Sequence, residues 1–445
     1  MRRAHVGRIA TLAIAALAVT TAPAAPPKAA FVVERIRYVG TVSYSRVVVD
    51  LSGPAEYHVL PVSADGKSAP PNRLVVDVAA AKVGPEAREP LEIGDAVLRS
   101  IRTGQYTLDT ARIVLDLARD VEARTFVLPD PYRLVIDLRG KAGALPSDDT
   151  RVTRIDTARA GAARPERPRE PSVAASPSGA EPAVADVREA ARARRGDARP
   201  AAKAEPPAGP HGFKVVIDPG HGGKDPGARG VHGVDEKDVV LAVSKLLASS
   251  LRADGIEVVL TRTDDRFLSL EERTALANAH GADLFVSIHA NASTNPALRG
   301  VEVYYLNNTD NRGTLRLAAM ENNLRWDPRN PELQSAIPDL SYILSDLRQT
   351  YKVEESKQLA EELQQSVVSR LGADYDRVDD LGVKEGPFYV LVGAYMPCVL
   401  VEVSFLTNPV EGTRLGTPQY RHALAEGVYQ GIRRYIAQTK LAKTL

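Results

Sequence analysis

The apolar residues of this chain follow two different patterns, one in each half of the sequence. Between residues 31 and 140, short runs rich in valine, isoleucine and leucine are separated by turn-forming residues, which predicts an all-β domain. Four of these runs share one motif, in which an arginine is followed by three apolar residues, an aspartate and another apolar residue; they begin at Arg46, Arg73, Arg112 and Arg133. The repeat indicates an internal duplication, and two such small halves would bury their apolar faces against each other in a sandwich.

From residue 213 onward, strand-like runs alternate with segments of helical periodicity. Apolar residues recur on one face of a helix predicted over 236–252. Alternation of this kind predicts a sheet flanked by helices, an α/β domain over about 211–440, with catalytic groups beyond the carboxyl ends of its strands. We expect strands at 213–218, 256–260, 284–288, 301–306, 388–392 and 398–403, and further helices near 312–325, 353–371 and 418–437.

The segments outside these two domains have compositions of their own. Arg2 and Arg3 precede an apolar stretch, Ile9–Val19, that is too short to span a bilayer. We therefore predict a signal peptide over 1–25 and a periplasmic location, with the general secretory and twin-arginine routes both open and a buried N-terminal helix as the structural alternative. Residues 141–210 are rich in Ala, Pro, Arg and Glu, which predicts a disordered linker, because such a segment buries too little apolar surface to offset its ordering entropy.

Charge and cysteine content exclude several classes of function. The sequence has 57 basic and 56 acidic residues, so no overall field favours nucleic acid or an anionic membrane surface. Cys398 is the only cysteine, which excludes an intramolecular disulfide and a cysteine-based zinc site. Beyond the predicted signal peptide, no apolar run is long enough for a membrane span.

Four residues of the second half have the chemistry of a metal hydrolase. His221 lies in a glycine-rich turn after the first strand, Glu236 opens the first helix, and His289 ends a strand. Two imidazoles and a carboxylate suffice for a catalytic zinc ion with one position left for water. Glu402 lies inside an apolar strand, where an unpaired carboxylate is costly to bury, so a functional role explains it best. Ordinary alternatives for the other three are a loop histidine, a core histidine and a carboxylate at a helix N-terminus.

Three motifs of this half resemble those of the zinc-dependent N-acetylmuramoyl-L-alanine amidases, which cleave peptidoglycan between the sugar and its stem peptide. They are Asp-Pro-Gly-His-Gly-Gly-Lys-Asp-Pro-Gly-Ala at 218–228, Ser-Ile-His-Ala-Asn at 287–291, and Val-Leu-Val-Glu-Val-Ser-Phe-Leu-Thr-Asn-Pro at 399–409. By position, the resemblance implies that the two histidines and Glu236 bind one Zn²⁺ and that Glu402 is the catalytic acid/base. It also implies a role in wall remodelling and in the separation of daughter cells.

The duplicated β region resembles the AMIN domain, which precedes the catalytic domain in periplasmic amidases and binds the cell wall. We therefore expect it to target the enzyme to peptidoglycan. Four further polar residues lie in or near the motifs, and either they orient the metal ligands or contact substrate, or the charged ones form surface salt bridges; they are Lys224, Asp225, Arg273 and Asn291.

An insertion at about 310–352 separates the strand at 301–306 from the helix at 353–371. Small members of the family connect these elements more directly. This chain resembles the division-associated members, in which a helix places a glutamate over the zinc until an activator moves it. Glu321 falls at about the matching position and is the candidate autoinhibitory ligand. An apolar stripe in the insertion would either receive an activator protein or pack on the protein's own core; it consists of Leu340, Ile343, Leu344 and Leu347.

Two other functions remain as alternatives at this point. One is a catalytically silent protein that binds or regulates the wall, and the other is a zinc peptidase that cuts within the stem peptide. The complete set of two histidines and two glutamates argues against the first. The three motifs argue against the second.

Overall fold

The computed structural model describes residues 30–41, 43–63, 71–140, 153–156, 212–324 and 347–444. The predicted signal peptide, nearly all of the predicted linker and the middle of the predicted insertion, with most of its apolar stripe, lie outside these residues. Within them, an all-β region is followed by a region that combines a mixed sheet with helices, which confirms the predicted fold class. None of the helices described is both long enough and apolar enough to cross a membrane.

The β region consists of short strands joined by tight turns. In chain order they are β1 (Phe31–Gly40), β2 (Tyr44–Leu51), β3 (Tyr57–Ser63), β4 (Pro71–Ala79), β5 (Ala81–Val83), β6 (Leu91–Glu92), β7 (Leu98–Thr107), β8 (Thr110–Leu117), β9 (Val121–Leu128), β10 (Arg133–Gly140) and β11 (Thr153–Asp156).

These strands form two sheets that face each other across one apolar core. The first, which we call the docked sheet, has the order β11-β1-β2-β10-β9, with β5 beside β1. The second, the open sheet, has the order β3-β4-β8-β7-β6. Alternate residues of both sheets point into the core, for example Val47 and Val49 of β2 and Ile113 and Leu115 of β8. The duplicated runs thus form the sandwich that their repeat predicts.

The four repeated motifs provide two neighbouring strands to each sheet. In the docked sheet, β2 pairs antiparallel with β10 and Arg46 lies opposite Asp137. In the open sheet, β4 pairs antiparallel with β8 and Asp77 lies opposite Arg112. Because the arginine and the aspartate of the motif are four residues apart, both point to the side away from the core. The motif therefore places ion pairs on the outer face of each sheet.

The second region is built on a six-stranded sheet. Its strands are β12 (Lys214–Pro219), β13 (Glu257–Leu260), β14 (Leu284–Asn291), β15 (Val301–Leu306), β16 (Asp380–Gly386) and β17 (Cys398–Phe405). They follow the order β13-β12-β14-β17-β15-β16, and all neighbours are parallel except β15 and β17. The carboxyl ends of β12, β14 and β17 therefore meet at the centre of one edge, where an α/β sheet usually binds its ligand.

Helices cover this sheet, and their apolar faces form the main core of the region. Ser269 and Glu272 form a capping box at the start of the second helix. The helices are α1 (Glu236–Ala253), α2 (Leu270–Ala279), α3 (Arg312–Glu321), α4 (Leu347–Asp374), α5 (Pro409–Leu415) and α6 (Pro418–Thr444).

The prediction of a strand at 388–392 is wrong. This run contains a 3₁₀ turn, Tyr389–Leu391, and the edge strand is the preceding segment, β16. Pro387 has no backbone N–H to donate, so it cannot continue the strand ladder into the apolar run. The run is apolar because it packs in a cluster shared with the β region. The polar, half-buried β16 lacks the apolar pattern by which a strand is recognised.

The docked sheet packs directly on the α/β region. One apolar cluster contains Phe126 of β9 together with Tyr389 of the 3₁₀ turn. At the centre of the contact, the Arg46 side chain is 1% exposed and donates to Thr274 Oγ1 of α2 at 2.7 Å and to the carbonyl oxygen of Gly393 at 3.1 Å. Two regions that the sequence joins through a predicted disordered linker are thus in close contact.

Candidate active site

Four ionisable side chains meet at the edge formed by the ends of β12 and β14. His221 lies in the loop after β12, Glu236 is the first residue of α1, His289 lies near the end of β14, and Glu321 is the last residue of α3. One potential ligand atom from each lies within 4.8 Å of all the others. The three predicted zinc ligands are therefore brought together, and the predicted autoinhibitory glutamate lies beside them.

The distances within this cluster are those of groups that could share one metal ion. A Glu236 carboxylate oxygen lies 3.1 Å from Nε2 of His221, and its other oxygen lies 3.2 Å from Nδ1 of His289. Oε2 of Glu321 lies 2.9 Å from the same His289 nitrogen and 3.3 Å from Nε2 of His221. The donor set of two imidazoles and carboxylates suits zinc.

Hydrogen bonds outside the cluster orient these side chains. Nδ1 of His221 lies 3.0 Å from the Asp225 carboxylate, which favours a proton on Nδ1 and leaves the Nε2 lone pair facing the cluster. The two carboxylate oxygens of Glu236 accept from the backbone N–H groups of Ala228 and Ala290, both at 2.9 Å. The Asp225 side chain thus has the position of a residue that orients a candidate ligand.

Two glycines make room for the cluster. A Cβ at Gly220 would lie 2.5 Å from the His289 ring. A Cβ at Gly227, whose φ is +66°, would lie 2.5 Å from a Glu236 carboxylate oxygen. Any side chain at either position would push a candidate ligand aside, which accounts for the glycine-rich turn around His221.

The charges in the cluster shift one another's pKa values. Burial alone would lower the pKa of His289, but the Glu321 and Glu236 carboxylates raise it to about 10. Burial likewise opposes charge on His221, and Glu236 and Glu321 nevertheless raise its pKa well above the usual value. Burial would raise the pKa of Glu236, yet the two histidines lower it. The carboxylates thus favour positive charge between the two histidine rings. A metal cation bound there can replace the protons on the ring nitrogens.

Glu402 lies next to the cluster but outside it. It is fully buried in β17, opposite His289 in the strand register, and its carboxylate oxygens have no hydrogen-bond partner among the described residues. Burial first, and then the charge of Glu321, raises the pKa of Glu402 well above its usual value. A carboxyl group with a raised pKa beside a metal site can take a proton from water and return it to a leaving group.

Arg273 and Lys224, two of the further polar residues named from the sequence, lie in different environments. Arg273 is buried and donates to the Asp218 carboxylate at 2.8 Å and to the carbonyl oxygen of His221 at 2.9 Å, so it holds the loop that carries His221. Lys224 makes no ion pair among the described residues, and its Nζ lies 4.5 Å from the centroid of the Phe267 ring. Among the described residues, neither side chain forms a surface salt bridge, since the ion pair between Arg273 and Asp218 is buried.

Asn291 is hydrogen-bonded to Glu302, a residue that was not predicted from the sequence. Its amide donates to Glu302 at 2.5 Å, and Lys384 also pairs with that carboxylate. Glu302 is buried and lies opposite Glu402 in the register of β15 and β17. A charge inside the apolar run Val301-Glu-Val303 was the available signal, and it is the same signal that drew attention to Glu402.

Comparison with known proteins agrees with this chemistry. Residues 215–434 match the family described as N-acetylmuramoyl-L-alanine amidase, and residues 35–129 match the AMIN domain. The chain is 32% identical to N-acetylmuramoyl-L-alanine amidase AmiC of Neisseria meningitidis, over 84% of this chain and 84% of that protein. It is 37% identical to N-acetylmuramoyl-L-alanine amidase AmiA of Escherichia coli, over 50% of this chain and 75% of that protein.

A solved N-acetylmuramoyl-L-alanine amidase from Clostridium difficile 630 is 33% identical, over 51% of this chain and 97% of its own, with a TM-score of 0.39. Taken with the curated relatives, the family matches identify both halves of the sequence. The chain therefore belongs to the N-acetylmuramoyl-L-alanine amidases, hydrolases that cleave the amide between N-acetylmuramic acid and L-alanine in peptidoglycan, and it carries an AMIN domain ahead of its catalytic domain.

Proposed function

We propose that His221, Glu236 and His289 bind one zinc ion and that Glu402 is the general acid/base of the amidase reaction. The observation that carries this proposal is the pair of imidazole nitrogens, Nε2 of His221 and Nδ1 of His289. Both are buried and make no hydrogen bond within the described part of the chain, and both face the same carboxylate of Glu236. Buried ring nitrogens without a hydrogen bond are costly unless something else binds them.

Each residue then has a defined task. Zinc bound at this cluster would lower the pKa of a water molecule and polarise the substrate carbonyl. Glu402 removes a proton from the attacking water and delivers it to the leaving amine of L-alanine. Asp225 keeps His221 in the tautomer whose Nε2 faces the metal, and Arg273 holds the backbone of the same loop.

The metal proposal is tested by zinc content. We expect the purified full chain to contain about one zinc, as a catalytic site of this type does. The variant His289→Ala should lose tight zinc binding, because one of three proposed ligands is gone. A matched control is His280→Ala, which changes a histidine outside the cluster and should retain the zinc. Full zinc occupancy in His289→Ala would show that the metal is held elsewhere.

Glu321 is best explained as an autoinhibitory ligand. It is buried, and its Oε2 lies close to both histidine nitrogens, where the open coordination position for water would be needed. A carboxylate at this position would keep water and the substrate carbonyl from a zinc ion held by His221, Glu236 and His289. An activator protein that moves α3 would then release the enzyme, and the neighbouring insertion at about 310–352 is the proposed site for it.

Removal of this carboxylate should therefore raise the basal rate. We expect Glu321→Ala to digest purified peptidoglycan faster than the wild type without an activator, because the closed state loses its bond to the metal site. Deletion of about 312–350 should have the same effect. An unchanged or lower rate in a Glu321→Ala protein that folds and retains zinc would count against autoinhibition by this residue.

The remaining proposals concern the cellular location of the protein, its binding to the wall and its domain boundaries. We propose that residues 1–25 direct export to the periplasm, that the AMIN domain at 31–140 retains the enzyme on peptidoglycan, and that 141–210 links it to the catalytic domain at 211–440. Within this linker, Thr153–Asp156 form β11 and pair with β1, so the expectation of disorder does not hold for these four residues. The isolated AMIN domain should sediment with purified wall. If it stays in the supernatant over a range of salt concentrations, its targeting role is wrong.

A further inference from the structure

A cavity of about 1340 Å³ lies between the docked sheet and the catalytic domain, and the candidate metal centre opens into it. Pockets for small ligands usually enclose about 300–1,000 Å³. This cavity is larger, which suits a segment of a polymer. Both domains provide its walls: His221, Lys224 and Phe267 lie on the catalytic side, and Arg35, Tyr132 and Arg154 lie on the AMIN side.

Beside the candidate metal centre, the catalytic wall carries an exposed aromatic ring. Phe267 is 40% exposed, and the Lys224 ammonium lies over its ring. A hydrogen bond of 2.7 Å from the Gly223 N–H to Asp265 holds the two loops together next to His221. An exposed ring offers a flat apolar surface that fits the C–H face of a pyranose ring. The sugar of the substrate is joined to the scissile amide through its lactyl group, so a pyranose ring lies within a few bonds of that amide, and Phe267 lines the same cavity as His221.

The AMIN wall offers a charged group that does not take part in the docking of the two domains. Arg35 pairs with Asp50 at 2.7 Å and with Asp156 at 3.6 Å, and both carboxylates lie on the docked sheet. Its side chain is 36% exposed. By contrast, Arg37 and Arg133 on the same face reach across to Glu271 of α2. Arg35 is therefore free to exchange a partner for a carboxylate of the substrate, while the docking arginines are not.

We propose that the cavity between the domains is the substrate cleft and that the AMIN domain forms its second wall. A peptidoglycan segment lies in it with its sugar on Phe267 and with a carboxylate of a stem peptide at Arg35. This assignment deepens the proposed function, since it places the scissile amide at the metal centre. It makes the AMIN domain part of the substrate site in addition to its proposed targeting role.

The test compares cleft residues with their counterparts on the open sheet. Arg102 pairs with Asp116 at 2.8 Å much as Arg35 pairs with Asp50, and Tyr106 is 59% exposed under Arg112 much as Phe267 lies under Lys224. Each substitution, Arg35→Ala, Phe267→Ala, Arg102→Ala and Tyr106→Ala, is made in the full chain with Glu321→Ala and Glu402→Gln, so that the site is open and the wall stays intact. Binding to glycan strands with stem peptides is measured by sedimentation, and binding to a soluble N-acetylmuramoyl dipeptide by calorimetry.

The expected results differ between the two ligands. Arg35→Ala should weaken binding to the strands by about two- to fivefold, the usual effect of one exposed charged contact, without changing binding to the dipeptide. Phe267→Ala should weaken binding to both ligands, and the two open-sheet variants should weaken neither. Equal affinities of Arg35→Ala and Arg102→Ala for the strands would overturn the proposal. Because binding is read without turnover, a failure of the zinc assignment would appear separately, in the metal content.

Discussion

The two sheets of the AMIN domain carry the same motif in different surroundings. In the docked sheet, Arg46 and Asp137 form an ion pair of 2.6 Å whose side chains are 1% and 0% exposed. In the open sheet, Arg112 and Asp77 form an ion pair of the same length, 2.6 Å, with side chains 27% and 16% exposed. The strand pairing and the outward direction of the charges are alike, so only the catalytic domain distinguishes the two pairs.

This difference shows what a strand motif can and cannot specify. The motif determines which residues face each other across two antiparallel strands, because alternate residues point to opposite sides. It does not determine whether the outer face meets water or another domain. Arg46 acquires Thr274 and the carbonyl oxygen of Gly393 as partners, whereas Arg112 has the exposed ring of Tyr106. The same ion pair thus becomes a core contact between domains in one sheet and a surface contact in the other.

The largest expected effect is on stability. Arg46→Ala should lower the free energy of unfolding of the full chain by about 3–5 kcal/mol, because it leaves the buried Asp137 carboxylate without its ionic partner. Arg112→Ala is the matched control, and it should cost about 1 kcal/mol or less, because its pair is partly solvated. Urea unfolding of both variants measures the difference. Equal losses would mean that the docked arrangement does not form in solution.

A smaller effect should appear as a pH dependence of the docking contact. Burial would raise the pKa of Glu271, but Arg133 and Arg37 of the docked sheet lower it to about 2. A carboxylate whose pKa is lower in the folded state stabilises the fold above its unfolded pKa, about 4.3, and this contribution is lost as the pH falls toward 2. Glu271→Gln should therefore be less stable than the wild type at pH 7, and the difference should shrink below about pH 4.5.

Asp116, a carboxylate of the open sheet that also pairs with arginines, is the control for this experiment. Burial would raise the pKa of Asp116, but hydrogen bonds from Arg102 and Ser100 lower it, and the partner Arg102 is half exposed. Asp116→Asn should therefore show the same sign of pH dependence with a smaller amplitude. Urea midpoints measured between pH 7 and pH 3 compare the two variants. A wild-type advantage over Glu271→Gln that does not change with pH would contradict the role of the ion pairs in docking.

Much of the fold could be predicted because it depends on local periodicity. The repeated Arg/Asp motif predicted the sandwich, and alternating patterns predicted the α/β sheet. The prediction failed at 388–392, where an apolar run reflects burial against the other domain, and β16 was missed because a half-exposed edge strand shows little apolar pattern. Burial against a distant part of the chain is a tertiary property, and no window of sequence contains it.

In the candidate site too, residues in local motifs could be predicted, whereas a residue whose role depends on tertiary contacts was missed. His221, Glu236 and His289 could be named because each lies in its own motif, and the parallel order of β12 and β14 brings the two histidines together. Glu302 was missed, although its setting in an apolar strand is like that of Glu402. Glu302 lies opposite Glu402 because β15 and β17 are antiparallel neighbours in the sheet, and the sequence does not reveal that strand order.

The most direct test of the account is the separation of metal binding from proton transfer at Glu402. Glu402→Gln in the full chain, made both alone and with Glu321→Ala, should retain about one zinc and a normal fold. Its release of stem peptides from purified peptidoglycan, identified by mass spectrometry, should fall by roughly a hundredfold or more, the usual size of an acid/base contribution. Loss of zinc together with activity would make Glu402 a ligand, and near-normal release of stem peptides would remove it from the mechanism.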